Sequence, residues 1–142
     1  MAPLRGTINA LVRLHPDRLE EIFPTAESWR DGPGEFVATI AVHLVDMETG
    51  TVTYVSAGHP PTVLVGADGR AELLADGRRP VFGIGGPPVS PGRRAFPIGS
   101  CLLAYTDGLI ERRSEGIETS IERLADHLGL GERVRSEEHT SE

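Results

Sequence analysis

Apolar positions near the N-terminus recur with a helical period. Leu4, Ile8, Leu11 and Val12 fall at i, i+4, i+7 and i+8, which puts them on one face of a helix. His15-Pro16 interrupts that face. Asp17, followed three residues later by Glu20, resembles a capping box and predicts a second short helix bearing Leu19, Ile22 and Phe23. Residues 24–35, "PTAESWRDGPGE", read as a loop from their Pro, Gly and Asp content.

The pattern then changes. "FVATIAVHLVD", Phe36 to Asp46, is apolar or β-branched at nearly every position, which predicts a central strand covered on both faces. "METG" is a turn, and "TVTYVSAG", Thr51 to Gly58, is the returning strand. "HPP" breaks it. "TVLVG" is a third strand, and the Asp-Gly hairpin signal in "ADGR" leads to a short fourth strand, "AELL". Hairpins in series imply an antiparallel meander. Residues 75–99, with "GIGGPPVSPG" in their middle, read as a long irregular connection, of a length that is often functional. The strand "SCLLAYT", Ser100 to Thr106, follows. After "DGLIERR", Thr119 and Glu122 form a capping box. Ile121, Leu124, Ala125 and Leu128 form an apolar stripe, and Gly129 is placed to end a last helix. The expected class is α+β, helix then antiparallel sheet then helix. Strands this apolar need a second sheet or helices over them.

Composition narrows the setting. With 142 residues, 39% hydrophobic and 25% charged, the chain suits one globular domain, and no internal repeat is visible. No apolar run approaches the roughly 20 residues of a membrane helix, and the N-terminus lacks the pattern of a signal peptide. A net charge of −7 with scattered basic residues argues against a nucleic-acid partner. A single cysteine excludes an internal disulfide and fits a reducing cytoplasm. The last eight residues, "RSEEHTSE", have neither an apolar residue nor a period. They read as the translation of a sequencing-library adapter or as a solvated tail. The expected division is therefore a domain over 1–134 and an appended segment over 135–142, with the natural chain continuing past Val134.

Most catalytic motifs are missing. "GIGGPP" lacks the Lys and Ser/Thr of a P-loop. There is no H-E-x-x-H, no metal-ligand spacing among the five histidines, and no G-x-S-x-G. The position where a cysteine-dependent phosphatase places its phosphate-holding arginine is here Asp107. Cys101 therefore reads as an inert core residue. Asp107 itself stands at the end of an apolar strand, in "CLLAYTDGLIERR". A sheet holds such a carboxylate firmly, and Gly108 lets the backbone turn close to a bulky ligand shell. Hard divalent ions favour oxygen ligands of this kind. An ordinary Asp-Gly turn is the competing reading.

Two longer stretches go further. "YVSAGHPP", Tyr54 to Pro61, and "LLAYTDGLIE", Leu102 to Glu111, stand in the same order and at similar spacing in one family. The chain resembles the C-terminal portion of bacterial PPM-type serine/threonine phosphatases, the protein phosphatase 2C-like group similar to stage II sporulation protein E and to regulators of stress sigma factors. The resemblance covers about residues 4–130. It implies a β-sandwich flanked by helices, here incomplete at both ends, with two Mn²⁺ or Mg²⁺ ions at one edge. It also implies that a metal-bridging water attacks the phosphorus of phosphoserine or phosphothreonine, so that no protein nucleophile is needed. Asp107 matches the metal-ligating aspartate of the family's T-D-G motif, with Thr106 and Gly108 shaping the site. The expected substrate is a phosphorylated signalling protein such as an anti-sigma-factor antagonist.

The departures matter equally. The family's other metal aspartates lie in a G-D-Y-Y-D-like motif on an early strand and in a late D-D pair. Neither occurs here, and Asp17, Asp31 and Asp46 lack the context to replace them. The chain by itself is expected to be inactive. An inactive phosphatase-like binding module in a signalling relay is the alternative, and a purely structural domain a third reading. In "AGHPP", Gly58 permits a tight backbone and the prolines stop the strand, while His59 is a candidate substrate contact. Arg112 and Arg113 are candidates to steer a phosphoprotein, since Arg forks match phosphate. With Glu111 they equally suit a solvated helical turn. His43 reads as structural and Trp29 as loop surface.

Overall fold

The structure is a computed structural model and describes residues 2–29 and 36–106. The fold is α+β, as expected. The chain divides into two compact units, residues 1–59 with 75–96, and residues 60–74 with the chain from 97 onward.

The first unit begins with α1, Ala2–Leu14. Pro3 falls in its first turn, where its missing N–H costs nothing. Ile8 and Leu11 are buried, and Leu4 and Val12 pack beside them, so the apolar stripe faces the core as the period required. A 3₁₀ turn, Leu19–Glu21, leads into α2, Ile22–Ser28. The expected capping box does not form. Arg18 occupies the cap of the 3₁₀ turn and Glu21 that of α2, both without a side-chain cap bond. Nor do residues 24–28 form a loop. Pro24 lies in the first turn of α2, where proline is compatible with helix, and α2 runs on to Ser28.

Two strands follow, β1 (Ile40–Asp46) and β2 (Thr51–Ala57), paired antiparallel from Ile40↔Ala57 to Asp46↔Thr51. The Asp46 carboxylate closes their turn by accepting from the N–H of Glu48 and Thr49, at 2.9 and 3.2 Å. Among the described residues β1 pairs with β2 alone, apart from isolated bridges. Phe36 and Val37 are exposed, so the apolar run before Ile40 is not part of a buried strand. β2 is the strand covered on both faces. Val55 and Ala57 are buried on one face, Val52 and Tyr54 on the other. The α1 and α2 stripes pack on the Val55 face with Val42 and Phe82. Phe23 and Phe82, both fully buried, meet edge to face with ring centroids 6.4 Å apart. Truncating either to alanine would cost about 3–5 kcal/mol.

The stretch 75–99 is not wholly irregular. It supplies two more strands to the same sheet, β5 (Arg78–Arg79) parallel to β2 and β6 (Gly92–Ala95) antiparallel to it. They lie in succession along the edge of β2 that β1 leaves open. Short, arginine-containing strands give little periodic signal, which is why the Gly/Pro content dominated the sequence reading.

The second unit holds β3 (Thr62–Val65), β4 (Ala71–Leu74) and β7 (Cys101–Leu103), in the order β4-β3-β7 and antiparallel throughout. The β3–β4 hairpin turns at residues 67–70 as its Asp-Gly pair predicted, with the Asp68 carboxylate accepting from the Arg70 N–H at 3.0 Å. A continuous meander does not form. β2 and β3 belong to different sheets because the chain leaves the first sheet at His59-Pro60-Pro61. β7 is shorter than the predicted strand, and Cys101 is exposed rather than part of the core. The expected last helix, 119–129, lies outside the described residues.

Candidate functional site

The T-D-G segment is approached through β7, whose Leu103, Leu102 and Cys101 pair with Val63, Leu64 and Val65. Tyr105, 5% exposed, packs with Val63 and Ala71 and anchors the chain just beyond the strand. Thr106 follows and is exposed. The chain therefore leaves the sheet after Leu103, and the described residues end at Thr106. Asp107, Gly108, Arg112 and Arg113 lie outside the described residues.

The "AGHPP" segment is part of the first unit. Gly58 has φ +65°, and its N–H donates to the Arg79 carbonyl at 2.8 Å. A Cβ at this position would lie 2.5 Å from Val81 Cγ1 and 2.9 Å from Val81 Cα. The backbone of β2 and the 79–81 segment thus approach as closely as a glycine allows. His59 is half-buried, and its carbonyl accepts from Arg78 Nη2 at 3.2 Å and more weakly from Ser56 Oγ at 3.4 Å. His43, on β1 opposite Tyr54, is held below the usual histidine pKa by burial and then by the charge of His59. His59 and Thr106 belong to different units, and each is placed within its own.

Two charged clusters had no signal in the sequence reading. In the first, Tyr54 donates its phenolic O–H to Asp76, and Arg94 reaches the same carboxylate at 3.3 and 3.4 Å. Burial would raise the Asp76 pKa, but the Tyr54 hydrogen bond and the Arg94 charge outweigh it and hold the group below its ordinary range. Gly92 makes room for Tyr54, since a Cβ there would lie 2.2 Å from the ring.

In the second cluster, Glu27 on α2 receives a bidentate fork from Arg79 on β5, at 2.6 and 3.0 Å. The Arg79 side chain is 2% exposed and that of Glu27 13%. Glu27 Oε2 also accepts from the backbone N–H of Gly83 at 2.9 Å and of Gly85 at 3.0 Å. Burial pushes the Glu27 pKa up, but the Arg79 bonds, the two backbone donors and the Arg79 charge together bring it below the ordinary value. Removing one partner of such a buried pair costs about 3–5 kcal/mol, because the other charge is left uncompensated.

Among the described residues no three His, Cys, Asp or Glu side chains gather as a metal ion would require. The carboxylate of Asp46 is already engaged in its own turn. The described residues thus do not form a metal centre by themselves.

The sequence matches the stage II sporulation protein E (SpoIIE) family over residues 1–140. Among solved structures, the fold is similar to the crystal structure of the RsbU and RsbW domains of Rv1364c from Mycobacterium tuberculosis, with 32% sequence identity and a TM-score of 0.74. The likeness covers 89% of this chain and 35% of that one, so the chain spans roughly a third of the length of the protein it matches.

Proposed function

The chain belongs to the stage II sporulation protein E family and is a PPM/SpoIIE-type phosphatase region, and from that premise we propose that it contributes to a metal-dependent protein serine/threonine phosphatase. The observation that carries the reading is the pair of stretches "YVSAGHPP" and "LLAYTDGLIE" in a chain that matches the family along nearly its whole length. The burial of Tyr105 supports it, because it anchors the chain two residues before Asp107.

In this reading Asp107 supplies one oxygen ligand to a divalent ion, Mn²⁺ or Mg²⁺, and Thr106 and Gly108 shape its surroundings. Bound metal ions supply charge stabilisation to the phosphoryl oxygens and a lowered pKa to the attacking water. One carboxylate does not fix two ions in a defined geometry, so the 142-residue chain is expected to be inactive without further aspartates. Arg112 and Arg113 offer guanidinium forks to a phosphorylated residue, and His59 offers a further polar contact. The substrate class is a phosphoserine or phosphothreonine protein. The structural neighbour carries RsbU and RsbW domains in one chain, and on that likeness the substrate is a phosphorylated anti-sigma-factor antagonist in a cytoplasmic relay. Among the described residues no helix is long and apolar enough to cross a membrane.

The test is phosphate release from a phosphoserine protein by the full product of the gene, with Mn²⁺ and with chelator. Release that requires the metal supports the reading. A protein that binds the phosphorylated partner yet releases no phosphate with either metal is a binding module instead.

A further inference from the structure

The Glu27 cluster has the form of an anion site. Four donors converge on one carboxylate: the Nη1 and Nη2 atoms of Arg79 and the N–H groups of Gly83 and Gly85. Both glycines have positive φ, 110° and 72°, a backbone form that turns N–H groups toward a common acceptor. The Arg79 guanidinium has supports besides Glu27. Arg79 Nε donates to the Pro80 carbonyl at 3.3 Å, and the guanidinium lies over the Phe23 ring, 5.8 Å from its centroid. Strand pairing of Arg79 with Ala57 and bridging of Phe82 with Ala38 hold the backbone that leads into Gly83. Exposure is greater on the acceptor than on the arginine, so solvent reaches the site from the anion's side.

We propose that Arg79, Gly83 and Gly85 form a preorganised oxyanion-binding cradle of which Glu27 is the built-in occupant. The cradle takes the oxygens of a carboxylate or a phosphoryl group when the Glu27 side chain is absent. A fixed guanidinium fork and backbone N–H groups suit both chemistries. This inference does not rest on the phosphatase reading, and its failure would leave that reading untouched.

The test uses the full chain with Glu27→Ala, which vacates the acceptor position. Thermal unfolding is followed in chloride, acetate and phosphate at matched ionic strength, beside wild type and the double variant Glu27→Ala/Arg79→Met. The single variant should show a saturable rise in midpoint, about 5 °C or more once the anion exceeds its Kd about 100-fold. Wild type and the double variant should show only the small general effect of the salt. A rise in acetate alone assigns the cradle to carboxylates, in phosphate alone to phosphoryl groups, and in both to the shared oxyanion chemistry. If Glu27→Ala is unfolded in chloride, recovery of its far-UV signal on adding either anion is the supporting result. The shape-conserving Glu27→Gln shows whether the chain still folds without the charge. Responses equal to those of wild type overturn the proposal. So does a single variant that stays unfolded in both anions while Glu27→Gln folds.

Discussion

Replacing Gly58 with alanine adds a single methyl group at the end of β2, and the structure sets its cost. The residue has φ +65°, a left-handed conformation that costs an L-residue about 1–2 kcal/mol. The new Cβ would stand 2.5 Å from Val81 Cγ1, 2.9 Å from Val81 Cα and 3.1 Å from Val81 N. A change of rotamer can move Cγ1 away, but it cannot move the two backbone atoms. The segment is also held by hydrogen bonds from Ser56 N–H to the Gly77 carbonyl and from Gly58 N–H to the Arg79 carbonyl, both 2.8 Å. Overpacking of this kind adds about 1–3 kcal/mol. The sum is roughly 2–5 kcal/mol, a large share of the 5–15 kcal/mol typical of a domain. Urea unfolding should show the midpoint falling with an unchanged slope. Gly6→Ala is the internal control: nothing lies within 4 Å of its added Cβ, and it sits inside α1. That change should stabilise by about 0.5–1 kcal/mol. A Gly58→Ala protein within about 0.5 kcal/mol of wild type would refute the close-approach explanation of the "AGHPP" motif.

Other consequences follow from the charged clusters. The Glu27 and Asp76 carboxylates both have folded pKa values below their ordinary ones. Their stabilisation is therefore complete above the unfolded carboxylate pKa and is lost as pH falls through the depressed folded values. Urea midpoints measured across the acid range should fall less steeply for Glu27→Gln than for wild type, and parallel curves would contradict the assignment. Gly92→Ala should destabilise by about 1–3 kcal/mol, because the added Cβ meets the ring of Tyr54, itself 3% exposed and tied to Asp76. Near-UV circular dichroism should report the displaced tyrosine, and an unaltered spectrum with unaltered stability would count against it.

What was legible in the sequence follows from where periodicity carries information. The stripe Leu4, Ile8, Leu11 and Val12 identified α1, and the Asp-Gly pair identified the β3–β4 hairpin, because each feature acts locally. The strands β5 and β6 were hidden. Their residues are mostly arginine and glycine, and β2 selects them through backbone pairing rather than side-chain pattern. The change of sheet after β2 was marked by "HPP", but a proline break does not state which sheet the next strand joins. Glu27 and Arg79 are far apart in sequence, and only the fold makes them a pair. Of the candidate site, Asp107 lies outside the described residues, and β7 ends at Leu103, short of the strand to Thr106 that the apolar run before Asp107 predicted. The placement of His59, whose carbonyl accepts from Arg78, was not legible in the sequence.

The central claim is that Asp107 is a metal ligand, and calorimetric titration of Mn²⁺ into the full product of the gene tests it most directly, with wild type compared to Asp107→Asn. The account predicts saturable binding by wild type and a loss of affinity of at least about 10–100-fold in the variant, since even outer-shell changes at metal sites cost that much. Equal Mn²⁺ affinity in the two proteins would contradict it and return Asp107 to the role of an ordinary turn residue.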